Sequence, residues 1–129
     1  MKDLEHEIKT YLEERQWHKL RPGDVAKSVA IESGELLEIF QWDNPELEVV
    51  KGDAERLAKI KSELADVLIY CFDMAVLLEL DVTEIMQAKL DKIRHKYPAE
   101  LFEGGDPTKA GTDDTYWKIK HEHRKNNVE

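Results

Sequence analysis

Residues 54–80, AERLAKIKSELADVLIYCFDMAVLLEL, decide the fold. Leu57, Ile60, Leu64, Val67, Leu68, Cys71, Met74, Ala75 and Leu78 recur at spacings of three and four, the period of an α-helix rather than the alternation of a strand. A long central helix over 54–80 is therefore expected. Its second half, 67–80, is apolar on more than one face and is interrupted only by Asp73 and Glu79. A small monomeric bundle cannot cover so much apolar surface, so the pattern predicts an oligomer, with Cys71 as an inert core thiol.

Working outward from this helix, three more segments carry helical signals and none reads as a strand bounded by turn residues. Residues 2–20 place Leu4, Ile8, Tyr11 and Leu12 on one stripe of a charged rod, which stops before Arg21-Pro22-Gly23. Asp24 is the expected N-cap of a second helix running to about Trp42, with Val29, Leu36, Leu37 and Phe40 inward. Asp43-Asn44-Pro45 breaks it, and 46–53 reads as a loop or a short irregular turn. Thr83 opens a fourth helix with Leu90 and Ile93 inward, ending before Tyr97-Pro98. The expected fold class is all-α, a four-helix bundle assembled as a homo-oligomer. Residues 1–102 form the expected catalytic domain. Residues 103–129, turn-rich and then strongly polar, are expected as a tail that is disordered or ordered only against another part of the assembly.

The chain has 129 residues with 28 acidic and 19 basic side chains, a formal net charge of −9 that repels nucleic acid polymers and anionic membrane surfaces. A phosphate-bearing ligand must then be met locally, by a bound cation or a few placed bases. The lone cysteine excludes an intrachain disulfide. No apolar run is long enough to span a bilayer, and the reading is a soluble, cytoplasmic protein.

Glu32, Glu35 and Glu38 recur every three residues on the second helix, and Glu63, Asp66, Tyr70 and Asp73 make a second stripe on the central helix. If the two helices pack antiparallel, Glu32 and Glu35 face Glu63 and Asp66, and a hard divalent ion answers the crowding. Magnesium fits best, because it takes oxygen ligands and is readily shared with substrate phosphates, and manganese is a plausible substitute. The plainer reading is a solvated face of the kind helical glutamates usually form. Against it stand the apolar flanks and Ser33-Gly34, which weakens the second helix by about 1 kcal/mol relative to alanine and suggests close helix approach or a ligand. His18, His95, His121 and His123 lack the partners of a closed zinc site and are assigned to the surface.

These residues resemble the MazG-like all-α nucleotide pyrophosphohydrolases, in their dCTP pyrophosphatase-like branch. ESGELLEIFQW (32–42) resembles that branch's Glu-x-x-Glu-Leu helix, ELADVLIY (63–70) its Glu-x-x-Asp helix with a following tyrosine, and KLDKIRHKYP (89–98) its Lys-rich helix end. The resemblance covers roughly residues 1–102. It implies hydrolysis of a nucleoside triphosphate between its α and β phosphates, in nucleotide-pool house-cleaning, by a homodimer or homotetramer. It makes Glu32, Glu35, Glu63 and Asp66 the metal ligands and Glu35, Glu38 and Glu63 the catalytic carboxylates. Lys89 and Arg94 would meet phosphates, although basic residues at a helix C-terminus also complement its dipole. Trp17, Trp42 and Tyr70 would stack on the base, although such aromatics also serve as core or interface.

Two positions depart from the branch: Ile93 stands where an asparagine is usual, and the loop RQWHKLRPGD (15–24) is a residue shorter, with a histidine expected after the tryptophan absent or replaced by Arg21. The substrate therefore stays open between dCTP-like or noncanonical nucleotides and, alternatively, dUTP or phosphoribosyl-ATP. A noncatalytic helical interaction module is the reading from another class.

Overall fold

A computed structural model describes residues 1–108 and 114–126, and all regular secondary structure among them is helical. The helices are α1 (Lys2–Glu14), α2 (Pro22–Glu38), α3 (Leu47–Lys51), α4 (Ala54–Leu77), α5 (Val82–Lys96) and α6 (Asp114–Lys125), with a short 3-10 helix at Ala99–Phe102. The chain forms two compact units, Met1–Thr83 and Glu84–Glu129.

In the first unit α4 is the spine, with α2 packed along it most extensively and α1 and the short α3 also against it. Ile8 and Leu12 of α1, Phe72 and Ala75 of α4, and Val82 form the core, and Leu12 is almost wholly buried. Glu5 Oε1 accepts a hydrogen bond from the Val82 backbone N–H at 3.3 Å, tying α1 to the chain just beyond α4. Asp53 caps α4 by accepting from the Arg56 N–H at 3.0 Å.

Several helix ends differ from the sequence pattern. α1 ends at Glu14 because Gln16 takes the left-handed conformation (φ 61°), so that Trp17 N–H reaches Leu12 O and Gln16 N–H reaches Glu13 O. α4 stops by the same device: Glu79 has φ 56°, and Leu80 N–H bonds Ala75 O at 2.8 Å. The N-cap of α2 is Arg21 rather than Asp24, because Pro22 needs no N–H partner at the first helical position. α2 closes at Glu38, where Ile39 and Phe40 tighten the last turn through bonds to Leu36 O and Leu37 O. Part of segment 46–53 is helical, as α3.

Burial also differs. Cys71 is exposed, as are Leu4, Leu37, Leu64 and Leu68, each expected inward. A side chain at Gly34 would meet no atom within 4 Å, so within this chain the glycine does not serve close helix approach.

In the second unit α5 carries on from Glu84, and Tyr97 stacks on Tyr116 of α6 with ring centroids 5.2 Å apart and planes 15° from parallel. Tail residues 114–125 are thus helical and ordered against the chain's own Tyr97, while 109–113 and 127–129 lie outside the described residues. No helix of the described residues is long and apolar enough to cross a membrane.

Candidate active site

α2 lies along α4, and this places carboxylates from both helices at one seam. Ligand atoms of Glu32, Glu63 and Asp66 all lie within 4.8 Å of one another, and all three residues are half-buried. Glu32 Oε2 and Glu63 Oε2 are shielded from water and have no hydrogen-bond partner. Buried polar oxygens are normally satisfied, so two orphaned acceptors pointing into one acidic cluster call for a positive ligand.

The electrostatics carry the same message. The neighbouring Glu35 carboxyl, near enough to share a proton, pushes the Glu32 carboxyl above its ordinary range, assisted by burial and by the charges of Glu35, Asp66 and Glu63. Burial pushes Glu63 up, followed by the charges of Glu35 and Asp66, contact with Glu35 and the charge of Glu38. All five sequence-predicted acids therefore act on one site, with Glu32, Glu63 and Asp66 inside it and the exposed Glu35 and Glu38 alongside. An all-oxygen donor set of this charge suits a hard divalent cation rather than zinc.

Asp66 also lines a cavity of about 600 Å³ together with Tyr11, Trp17, Ser28, Tyr70 and Asp73. Trp17 enters it because of the left-handed turn at Gln16, and it meets Tyr11 edge-on with centroids 5.9 Å apart. The Arg15 guanidinium sits over the other ring of the pair, 3.9 Å from the Tyr11 centroid. Two of the three expected aromatics, Trp17 and Tyr70, thus share a cavity with a carboxylate of the cluster. Trp42 does not line it and is 89% exposed. Tyr11, read from the sequence as a core residue, lines it too; its proximity to Trp17 was the available signal.

Lys89 and Arg94 belong to the second unit. Lys89 lines a cleft of about 780 Å³ with Tyr97, Tyr116 and Lys120. Arg94 pairs with Asp91 at 3.5 Å.

Comparison with known proteins accords with this geometry. Residues 27–105, more than half of the chain, match the model of the MazG-like family. Human dCTP pyrophosphatase 1 is 31% identical over 103 residues, covering 78% of this chain and 61% of the relative, and the bovine protein of that name is 29% identical over 106 residues, covering 81% and 63%. The chain thus spans a little over three fifths of the length of these relatives. A crystal structure of a pyrophosphatase from Archaeoglobus fulgidus superposes with a TM-score of 0.66 at 34% identity, covering 76% of this chain and 92% of that one. With its all-α fold and its carboxylate seam between α2 and α4, the chain belongs to the MazG-like family.

Proposed function

We propose that the protein is a magnesium-dependent nucleoside triphosphate pyrophosphohydrolase that releases a monophosphate and pyrophosphate, acting in nucleotide-pool house-cleaning on dCTP-like or noncanonical substrates. One observation carries this reading: Asp66 belongs both to the Glu32–Glu63–Asp66 cluster and to the wall of an aromatic cavity large enough for a nucleoside. Catalytic cation and base pocket are thereby one site.

Glu32, Glu63 and Asp66, with Glu35 beside them, are the residues that would hold magnesium, or manganese in its place. The cation, when bound, neutralises phosphate charge and makes nearby water a stronger acid. Glu38 is exposed, lies outside the ligand trio and is close enough for its charge to reach Glu63. It accepts the proton of the attacking water as the water oxygen bonds to the α phosphorus and the α–β bridging oxygen leaves with pyrophosphate. Trp17 and Tyr70 hold the base by stacking, and Lys89 and Arg94 supply positive charge to the phosphates.

The working enzyme is a homodimer or homotetramer. Ile31 and Leu37 on α2 and Leu64, Leu68 and Ile69 on α4 are exposed along the two helices that build the site, an apolar surface that a second copy would cover. A partner would also bury Trp42. Residues 1–102 make up the catalytic domain and 103–129 an appended segment. The net charge of −9 argues against nucleic acid polymers and membrane surfaces as partners and suits a cytoplasmic enzyme of free nucleotides.

The test is incubation of the purified protein with canonical and modified nucleoside triphosphates and phosphoribosyl-ATP, in magnesium or in chelator, with identification of the products. Monophosphate plus pyrophosphate in magnesium alone is expected. No turnover of any of them would turn the reading to a helical interaction module.

A further inference from the structure

Asp73 is the one charged residue among the buried side chains described, at 5% exposure, and its Oδ1 meets no hydrogen-bond donor. A carboxyl group buried in this way is costly, and its burial pushes its acidity towards the neutral form. It is not a stray core residue, because it lines the cavity that also holds Trp17, Tyr70 and Asp66. Asp66 and Asp73 are seven residues apart on α4, which places them on the same side of the helix and about 10 Å apart along its axis. That spacing is comparable with the reach of a nucleotide from its α phosphate to the far edge of its base.

We propose that Asp73 reads the base edge of the substrate, accepting a hydrogen bond from an exocyclic amino group and so selecting amino-bearing bases, cytosine first, over 4-oxo pyrimidines. This rests on the nucleotide reading of the site given above. Tyr11, Trp17 and Tyr70 bring donors to the cavity wall, but the polar side chains beside Asp73 that carry acceptors favour the same choice. Glu7 and Asp66 are carboxylates, and the Ser28 hydroxyl already donates to Asp24 O at 3.3 Å, leaving its lone pairs to face the cavity. Cytosine presents an N4 amino donor to such a wall, whereas uracil presents O4 as an acceptor and only a ring N–H flanked by two carbonyl oxygens. Acceptor facing acceptor at the buried Asp73 carboxyl is penalised, which supplies the discrimination. The periodicity of the sequence puts Asp73 at the end of the stripe that begins with Glu63 and Asp66 but does not assign it this role. Its signal there is an acid inside the apolar run 67–80.

The test is calorimetric binding of dCMP and dUMP, in magnesium, to the full chain and to Asp73→Ala and Asp73→Asn. The native chain is expected to bind dCMP about 10- to 100-fold more tightly than dUMP, the cost of leaving one buried acceptor unpaired. Asp73→Ala brings the two within about threefold, and Asp73→Asn, whose amide can turn its donor to O4, narrows the gap as well. Melting temperatures of both variants accompany the titrations. Loss of a buried orphan carboxyl raises them, which separates lost selectivity from lost structure. Equal binding of both nucleotides by the native chain, binding of neither, or an unchanged ratio in Asp73→Ala would overturn the proposal. Its fate is distinct from that of the reaction: absent triphosphate hydrolysis would remove the enzymatic reading while the ratio still decides Asp73, and hydrolysis with a ratio indifferent to Asp73 would remove this inference alone.

Discussion

Glu32 of α2 and Glu63 of α4 each keep one carboxylate oxygen away from water and without a hydrogen-bond partner, and their ligand atoms lie within 4.8 Å of each other and of Asp66. Two like charges arranged so are a liability to the fold unless something positive joins them. The functional reading follows from that liability, and so do most of its consequences.

Removing charge at this seam separates catalysis from folding. Glu63→Gln and Glu35→Gln keep side-chain volume but remove a negative charge, and each should lower kcat about 100-fold or more while helical content stays at the native level. In chelator both variants should melt higher than the native protein, because like-charge repulsion is relieved. Assays of turnover alongside thermal melts check both halves, and native-level activity in either variant would remove that residue from the site.

The pH dependence has a definite sign. The Glu32 and Glu63 carboxyls have folded-state pKa values raised above the ordinary 4.5, so the folded chain holds protons that the unfolded chain releases. Their contribution to stability is fully present below pH 4.5 and is lost as pH rises through the raised values. In chelator the melting temperature should therefore fall from pH 5 towards pH 7.5. Magnesium, binding the folded state alone, should restore it at the higher pH. A Glu63→Gln chain should show a flatter profile, and identical profiles for native and variant chains would contradict the assignment.

How much of this was legible beforehand depends on which physical signal each feature leaves. Helical periodicity located α1, α2, α4 and α5, because the apolar residues of each recur at the helical period. The ends of α1 and α4 were missed because the left-handed residues that stop them are Gln16 and Glu79, where glycine would have given the signal. Glu32, Glu63 and Asp66 were readable as a converging set from their spacing on two helices. The cavity was only half readable: Trp17 reaches it through a turn that the pattern did not mark. Tyr11 and Asp73 sat in stripes that serve core and site equally well.

Arg56 links the segment that follows α2 to the start of α4. Its guanidinium binds both oxygens of Asp43, at 2.9 and 3.0 Å, and lies over the Phe40 ring with 5.7 Å to the centroid. Arg56→Ala should cost about 1–2 kcal/mol in chemical denaturation, through the ion pair and the lost stem packing. Since the contact helps to fix the seam between the helices, magnesium affinity should weaken with it. A change below about 0.3 kcal/mol would show the pair to be incidental.

The two tryptophans should behave oppositely. Trp17→Ala opens the cavity wall and should raise KM about 10-fold or more, the worth of a stacked base. Trp42 is 89% exposed in the single chain, so Trp42→Ala should leave monomer stability within about 0.5 kcal/mol. Its effect should instead fall on association, read by sedimentation. If the native chain sediments as a monomer at micromolar concentration, the exposed faces of α2 and α4 are not an interface.

The most direct test of the central claim is hydrolysis of dCTP in magnesium and oxygen-18 water, with mass analysis of the products. Attack at the α phosphorus predicts one labelled oxygen in dCMP and none in pyrophosphate. Label in pyrophosphate, release of orthophosphate with dCDP, or no turnover by a folded, magnesium-loaded protein would contradict it.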